Sequence, residues 1–272
     1  NSYAERLYRF VRGRWEAPYV EGVDLTINDP SMMKEGDHYL IESTELAESV
    51  DDIATIEELV VNLRDVVKEN KLAPWRHWSS NWRTVPFAGH LYQPLLHVGK
   101  RQMIKISPVA LDRHESKFVE DLAAWCLKKE DIEIYLLRNK AVTGLGFFQA
   151  SNFFPDFLLW LQDGETQHLV FADPKGLQNP ELSDPKLQFA TRDIPLLQRI
   201  IDVQGSQLRL SAFILSSSLY SDLEKNWDGE RISSKAELEE LGMLFMYDDP
   251  ETYIGKLVSQ VRRRVVAVQV AE

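Results

Sequence analysis

Two carboxylates and an ammonium group carry the most suggestive chemistry in this sequence. Asp156 interrupts an otherwise apolar stretch, FFPDFLLWL, and Asp173 ends another, HLVFAD, two residues before Lys175. An ionised carboxylate within an apolar strand is costly unless something neutralises it. Two such groups side by side repel, so one takes a proton or a cation sits between them. Hard oxygen donors of this kind select Mg²⁺, with Mn²⁺ as a substitute. Pro174 lacks an N–H but keeps a carbonyl, a further oxygen donor. Lys175 stands two residues past Asp173, so in an extended chain the two side chains share a face. Its ammonium is then placed to orient or help deprotonate a water and to offset charge in a phosphoryl transition state. The plain alternative is an Asp–Lys ion pair closing a strand end. It accounts for Lys175 and leaves two neighbouring carboxylates without a cation between them.

Such a site needs two adjacent strands. Asp163-Gly164 is a hairpin signal between the apolar runs 153–161 and 168–172, and it sets Asp156 beside Asp173. Upstream, residues 113–129 carry the helical spacing Phe118, Leu122, Trp125 and Cys126, and 132–137 reads as a strand. Downstream, 187–203 reads as a helix in which Pro195 marks a kink or a later start, and 208–215 reads as another strand. The order helix, strand, strand, strand, helix, strand, with strands apolar on both faces, predicts an α/β sandwich. The tail adds a strand over 243–247. A helix follows, capped by Asp249 with Pro250 in its first turn, and runs toward Arg262, Arg263 and Arg264. Cations suit a helix C-terminus, so the Arg run needs no ligand. A second triplet, Asp184-Pro185-Lys186, follows the polar Asn179-Pro180-Glu181 and reads as a loop feature with no strand to hold it beside Asp156.

Residues 1–105 read as a largely helical or irregular extension, with a helix over 52–71 and short strands in the irregular stretch 72–110, and residues 106–272 as the domain that bears the site. The net charge is −11 over 272 residues. Residues 21–58 hold twelve acids and one base, Lys34, which accounts for the whole excess. Residues 70–111 hold no acid; Lys71, Arg76, Arg83, Lys100, Arg101 and Lys105 interleave with Trp75, Trp78, Trp82 and Tyr92. That mixture suits phosphate contact and base stacking, and equally a Trp-rich connector packed on its neighbour. The acidic balance argues against a free-standing nucleic-acid binder. Cys126 is the single cysteine, so no internal disulfide or Cys-based metal site forms, and a reducing, cytoplasmic setting is expected. No apolar run reaches the roughly 18 residues of a membrane span. The start, NSYAERLYRF, has neither a leader pattern nor Met, which points to a processed chain or, more readily, to a segment of a longer protein. The histidines show no HExxH spacing, no GxSxG elbow precedes Ser216–Ser218, and no GxxxxGK[ST] loop is present.

From residue 112 to about 218 the chain resembles the PD-(D/E)xK nuclease superfamily, with Asp173-Pro174-Lys175 as its triplet. The stretches ESKFVEDL, FFPDFLLWL and FADPKGL, with HLYQPLLH upstream, are similar to the C-terminal nuclease region of type III restriction enzymes and related helicase-linked proteins. The resemblance implies a restriction-endonuclease-like αβββαβ core sandwich and a Mg²⁺-dependent endonuclease that hydrolyses DNA. It implies that Asp156 and Asp173 hold the metal and that Lys175 orients the nucleophile. A Glu on the first core helix completes the set in that superfamily; Glu115 matches best and Glu120 second. The group usually carries Glu where this chain has Asp173. An ATP-driven helicase or translocase, upstream or as a partner, and a role in restriction or anti-phage defence are implied as well. The alternative is a catalytically inactive nuclease-fold module that binds nucleic acid or a partner. RNA in place of DNA stays open.

Overall fold

The computed structural model of the chain describes residues 110–129, 131–139, 154–164, 166–175, 184–203, 208–226 and 234–269. It also describes 24–27, 38–43, 76–77, 82–85, 87, 95–97 and 104–107. The chain falls into two compact units, residues 5–120 and residues 121–272 with 1–4. The division lies within a helix, where the sequence places a boundary near 105.

In the first unit, β1 (Asp24–Ile27), β2 (His38–Ser43), β3 (Arg76–His77), β4 (Trp82–Val85), β5 (Leu95–His97) and β6 (Ile104–Ser107) form two three-stranded sheets, ordered β1-β2-β6 and β3-β4-β5. The sequence predicts short strands within 72–110, where β3 to β6 lie; β1 and β2 fall in the stretch read as helical or irregular and add to that reading. In the register of β2 and β6, Ile41 stands opposite Ile106. The expected helix over 52–71 lies outside the described residues. Helix α1 (Arg113–Cys126) follows.

The second unit is a mixed α/β assembly. Strands β7 (Glu133–Arg138), β8 (Phe157–Asp163), β9 (Thr166–Asp173), β10 (Leu208–Ser216) and β11 (Met243–Phe245) make one sheet, ordered β11-β10-β9-β8-β7. The pairs β7–β8 and β8–β9 are antiparallel; β9–β10 and β10–β11 are parallel. Phe157, Leu158, Leu159, Leu161, Val170, Phe171 and Ala172 are all buried, which explains strands that are apolar on successive positions. The β8–β9 hairpin closes on the pair Asp163↔Thr166, with Gly164 at φ 60 in a two-residue connection. Primed turns of this kind need positive φ.

Helical segments α2 (Pro185–Gln188), a π-helical turn (Phe189–Asp193) and α3 (Ile194–Val203) run end to end between β9 and β10. The Ile194 N–H bonds back five residues to the Phe189 carbonyl. Pro195, just beyond, has no N–H, and its ring clashes with the carbonyl four residues back in a regular helix; the wide turn sits where the proline enters. Helices α4 (Tyr220–Asn226), α5 (Lys235–Glu240) and α6 (Tyr253–Gln269) complete the unit. Leu187, Ile214, Leu223, Leu238, Met243 and Phe245 form one buried cluster that joins α2, α4 and α5 to the β10–β11 side of the sheet.

Two expectations for the tail change. The α6 helix starts at Tyr253, and the Asp249 carboxylate binds Lys235 and Lys256, each at 2.9 Å, where the sequence predicts a cap. Arg262 and Arg263 lie inside α6, short of its end at Gln269; Arg262 clamps the hairpin turn through Asp163 (2.9 Å) and also meets Asp131 (2.9 Å). Among the described residues no helix is long and apolar enough to cross a membrane.

Two positive-φ glycines among the described residues make a paired test. At Gly242 (φ 94) a Cβ meets the Ala212 carbonyl oxygen at 2.8 Å, whereas at Gly164 nothing lies within 4 Å. Gly242→Ala is expected to lose on the order of 2 kcal/mol in urea denaturation. Gly164→Asn should stay within about 0.5 kcal/mol of wild type, because Asn tolerates the left-handed region at an exposed turn.

Candidate active site

The backbone at Pro155-Asp156 is pinned before any side chain is considered. The Asn139 N–H donates to the Asp156 carbonyl and its Nδ2 to the Pro155 carbonyl, both at 2.8 Å. Pro155 thereby contributes an acceptor at the mouth of β8, where its missing N–H breaks no ladder bond. The β8–β9 register ends on Phe157↔Ala172, and one further step sets Asp156 opposite Asp173. On its other side Asp173 pairs with Ile214 of β10. The sequence expectation that the hairpin brings these two acids together agrees with this register.

Four cationic and anionic side chains converge here with Arg138 alongside. Asp156 Oδ1 lies 3.6 Å from Arg138 Nη1, and its Oδ2 lies 3.5 Å from Lys175 Nζ. Asp173 is almost fully buried, and its Oδ2 lies 3.0 Å from Lys186 Nζ. Burial, first, and the Asp156 charge, second, push the Asp173 carboxyl up to about 6, against the opposing pull of Lys186 and Lys175. The route by which Lys175 arrives differs from the expected strand alternation. Strand β9 ends at Asp173, and the Lys175 N–H turns back to the Asp173 carbonyl at 3.0 Å across the buried Pro174. The half-exposed Lys175 ammonium then pairs with Asp156, the acid on the neighbouring strand.

The acids suit a divalent cation in one specific respect. Asp156 Oδ2 and Asp173 Oδ1 are buried and accept no hydrogen bond. Buried acceptors are normally satisfied, and two hard oxygens facing a desolvated pair are donors of the kind Mg²⁺ or Mn²⁺ prefers. Among the described residues no set of three or more His, Cys, Asp and Glu side chains gathers as a metal cage. Glu115 caps its own helix. Asp112 Oδ1 accepts from the N–H groups of His114 (2.7 Å) and Glu115 (2.8 Å), while Glu115 Oε2 accepts from the Asp112 N–H at 2.7 Å. This reciprocal capping box starts α1. Glu115 and Glu120 belong to the unit of residues 5–120 and are not gathered with the aspartates into such a set.

Three residues of the cluster escape sequence reasoning: Arg138, Asn139 and Lys186. Lys186 belongs to the triplet read as a loop. In the structure Asp184 is the N-cap of α2, accepting from the Lys186 N–H at 2.8 Å, and Pro185 is the first helical residue. Asp-Pro is itself a helix-start signal, so the clue was local. Elsewhere, Ser216 Oγ donates to the Ser218 carbonyl, a local turn. Burial pushes the Cys126 thiol up to about 11, which keeps it protonated at neutral pH.

No protein-family model, curated protein or solved structure matches the chain.

The Asp173 shift fixes a stability profile. Its folded pKa of about 6 lies above the unfolded value of about 4, so between those pH values the folded state binds more protons. Stability therefore falls as pH rises from about 4 to about 6, and the cost persists above that. Asp173→Asn is expected to raise the melting temperature at pH 7.5, the unfolding free energy gaining up to about 2–3 kcal/mol less the ion pair lost to Lys186, with the gain vanishing near pH 4. Thermal melts across pH 4–8 check it; a variant that is less stable at neutral pH and unchanged by acid contradicts it.

Proposed function

We propose that the second unit, entered through α1, is a restriction-endonuclease-like αβββαβ core and that the chain is a Mg²⁺-dependent DNA endonuclease domain. The observation that carries this is the buried Asp156–Asp173 pair, in which Asp173 Oδ1 and Asp156 Oδ2 accept no hydrogen bond and Asp156 Oδ2 has only the Lys175 ammonium at 3.5 Å beside it. The succession of helix, three antiparallel strands, helix and parallel strand supports the same build. Asp156 and Asp173 are the metal-holding groups, with the Pro174 carbonyl as a further donor. A divalent cation bound there supplies Lewis-acid polarisation of a phosphoryl oxygen.

The chain's own residues supply the rest. Lys175 is half exposed at the rim, so it is accessible to a phosphodiester from solvent. It orients the attacking water and offsets charge that builds on the phosphoryl oxygens. Arg138 and Asn139 hold Asp156 in place from β7 and its end. DNA as substrate, an ATP-driven helicase or translocase as partner, and a cytoplasmic role in restriction or anti-phage defence are inferred from the resemblance in sequence.

One observation favours a second reading. Arg138, Lys175 and Lys186 already face the two carboxylates, so their negative charge is offset without any metal. A nuclease-derived module that binds nucleic acid without turnover retains such a network as structure. Nicking of supercoiled plasmid separates the two. Wild type is expected to nick with Mg²⁺ or Mn²⁺ and to stop on chelation. Asp156→Asn, Asp173→Asn and Lys175→Ala are each expected to be slower by at least about 100-fold. No nicking by wild type, with plasmid binding retained in all four proteins, supports the binding module.

A further inference from the structure

We infer that Lys186 is a built-in competitor for the divalent cation: its ammonium occupies Asp173 in the cation-free protein and leaves when a cation binds. The inference rests on the metal-site reading above. Lys186 Nζ stands 3.0 Å from Asp173 Oδ2, closer than Lys175 stands to Asp156 (3.5 Å), and it is less exposed than Lys175. One oxygen of Asp173 is thus held by an ammonium while the other, Oδ1, is unsatisfied.

The position of Lys186 is not explained by its own helix. It is the second residue of α2, and a cation near a helix N-terminus opposes the helix dipole. The backbone there is fixed from two sides. Asp184 caps the turn through the Lys186 N–H. The next residue, Leu187, is buried in the same cluster as Ile214, the β10 partner of Asp173. A rigid backbone thus delivers a lysine to the one carboxylate most deprived of water. The side chain itself is a flexible four-carbon stem with about a quarter of its surface exposed. Its exchange for a metal needs only side-chain rotation. The displaced ammonium stays tethered beside the site, where it meets the negative phosphodiester. Cation binding and phosphate recognition are coupled through one side chain.

The test is binding of Mn²⁺ alone to the whole 272-residue chain, without nucleic acid, followed by calorimetry and by the loss of the free Mn²⁺ resonance signal. Lys186→Met is expected to bind roughly tenfold more tightly than wild type, since the charge-assisted bond to Asp173 no longer has to be broken. Lys186→Gln should also tighten binding, and Lys186→Arg should not. A purely structural lysine would loosen the site on removal, so a gain in affinity distinguishes the two roles. Unchanged or weaker binding in both neutral variants overturns the inference while leaving the metal site standing, provided that Asp173→Asn abolishes wild-type binding. Absence of wild-type binding, or its survival in Asp173→Asn, overturns the metal-site reading and this inference with it.

Discussion

Two acids of like charge sit opposite one another at the end of a hairpin from which water is largely excluded. The charged side chains at that end of the sheet are arranged around that repulsion. Desolvation alone disfavours a charged Asp173, and the Asp156 charge adds to it. Three cations from three different segments answer the pair: Arg138 from β7, Lys175 from the turn after β9, and Lys186 from α2. Their number exceeds that of the acids, yet two carboxylate oxygens remain without hydrogen bonds. A protein selected only for stability has little reason to keep such a pair, and groups perturbed by both burial and a like charge cluster at functional sites.

The cluster combines rigid and adaptable parts. The acids are placed by sheet register, by two Asn139 hydrogen bonds and by the parallel partner strand β10. Strands hold geometry better than loops do, which suits groups whose separation matters. The two lysines are long, partly exposed and able to move without disturbing the backbone that carries them. Fixed anions with movable cations form a site that tolerates a change of charge at its centre.

Much of this was legible because the signals are local. Asp163-Gly164 specifies a tight hairpin by its backbone requirement, and an apolar run on each side specifies buried strands, so Asp156 and Asp173 fall opposite one another. What was not legible depends on distance in sequence. Arg262 reaches Asp163 from another element, so its Arg run looks like a helix end when it is an internal clamp. Asp249 has the sequence context of a cap, but two lysines from α5 and α6 claim its carboxylate. Lys186 shows the reverse case. Its Asp-Pro-Lys context reads as a polar loop, whereas the same Asp and Pro start a helix that turns the lysine onto Asp173. Glu115 carried two compatible signals, a first-turn acid and a capping-box partner, and its carboxylate serves the cap. In the first unit the sequence announced short strands over 72–110, where β3 to β6 lie, but not β1 and β2, which sit within the acidic stretch 21–58.

The central claim is that Asp156 and Asp173 stand at opposed register positions at a buried strand end and together take a divalent cation. Carboxyl-carbon NMR of labelled aspartates, titrated with and without Mg²⁺, addresses it most directly. The account predicts that Asp173 titrates near pH 6 without metal, and that Mg²⁺ moves its midpoint down together with a response at Asp156. An Asp173 midpoint near the ordinary value of about 4, indifferent to Mg²⁺ and to Asp156→Asn, contradicts it.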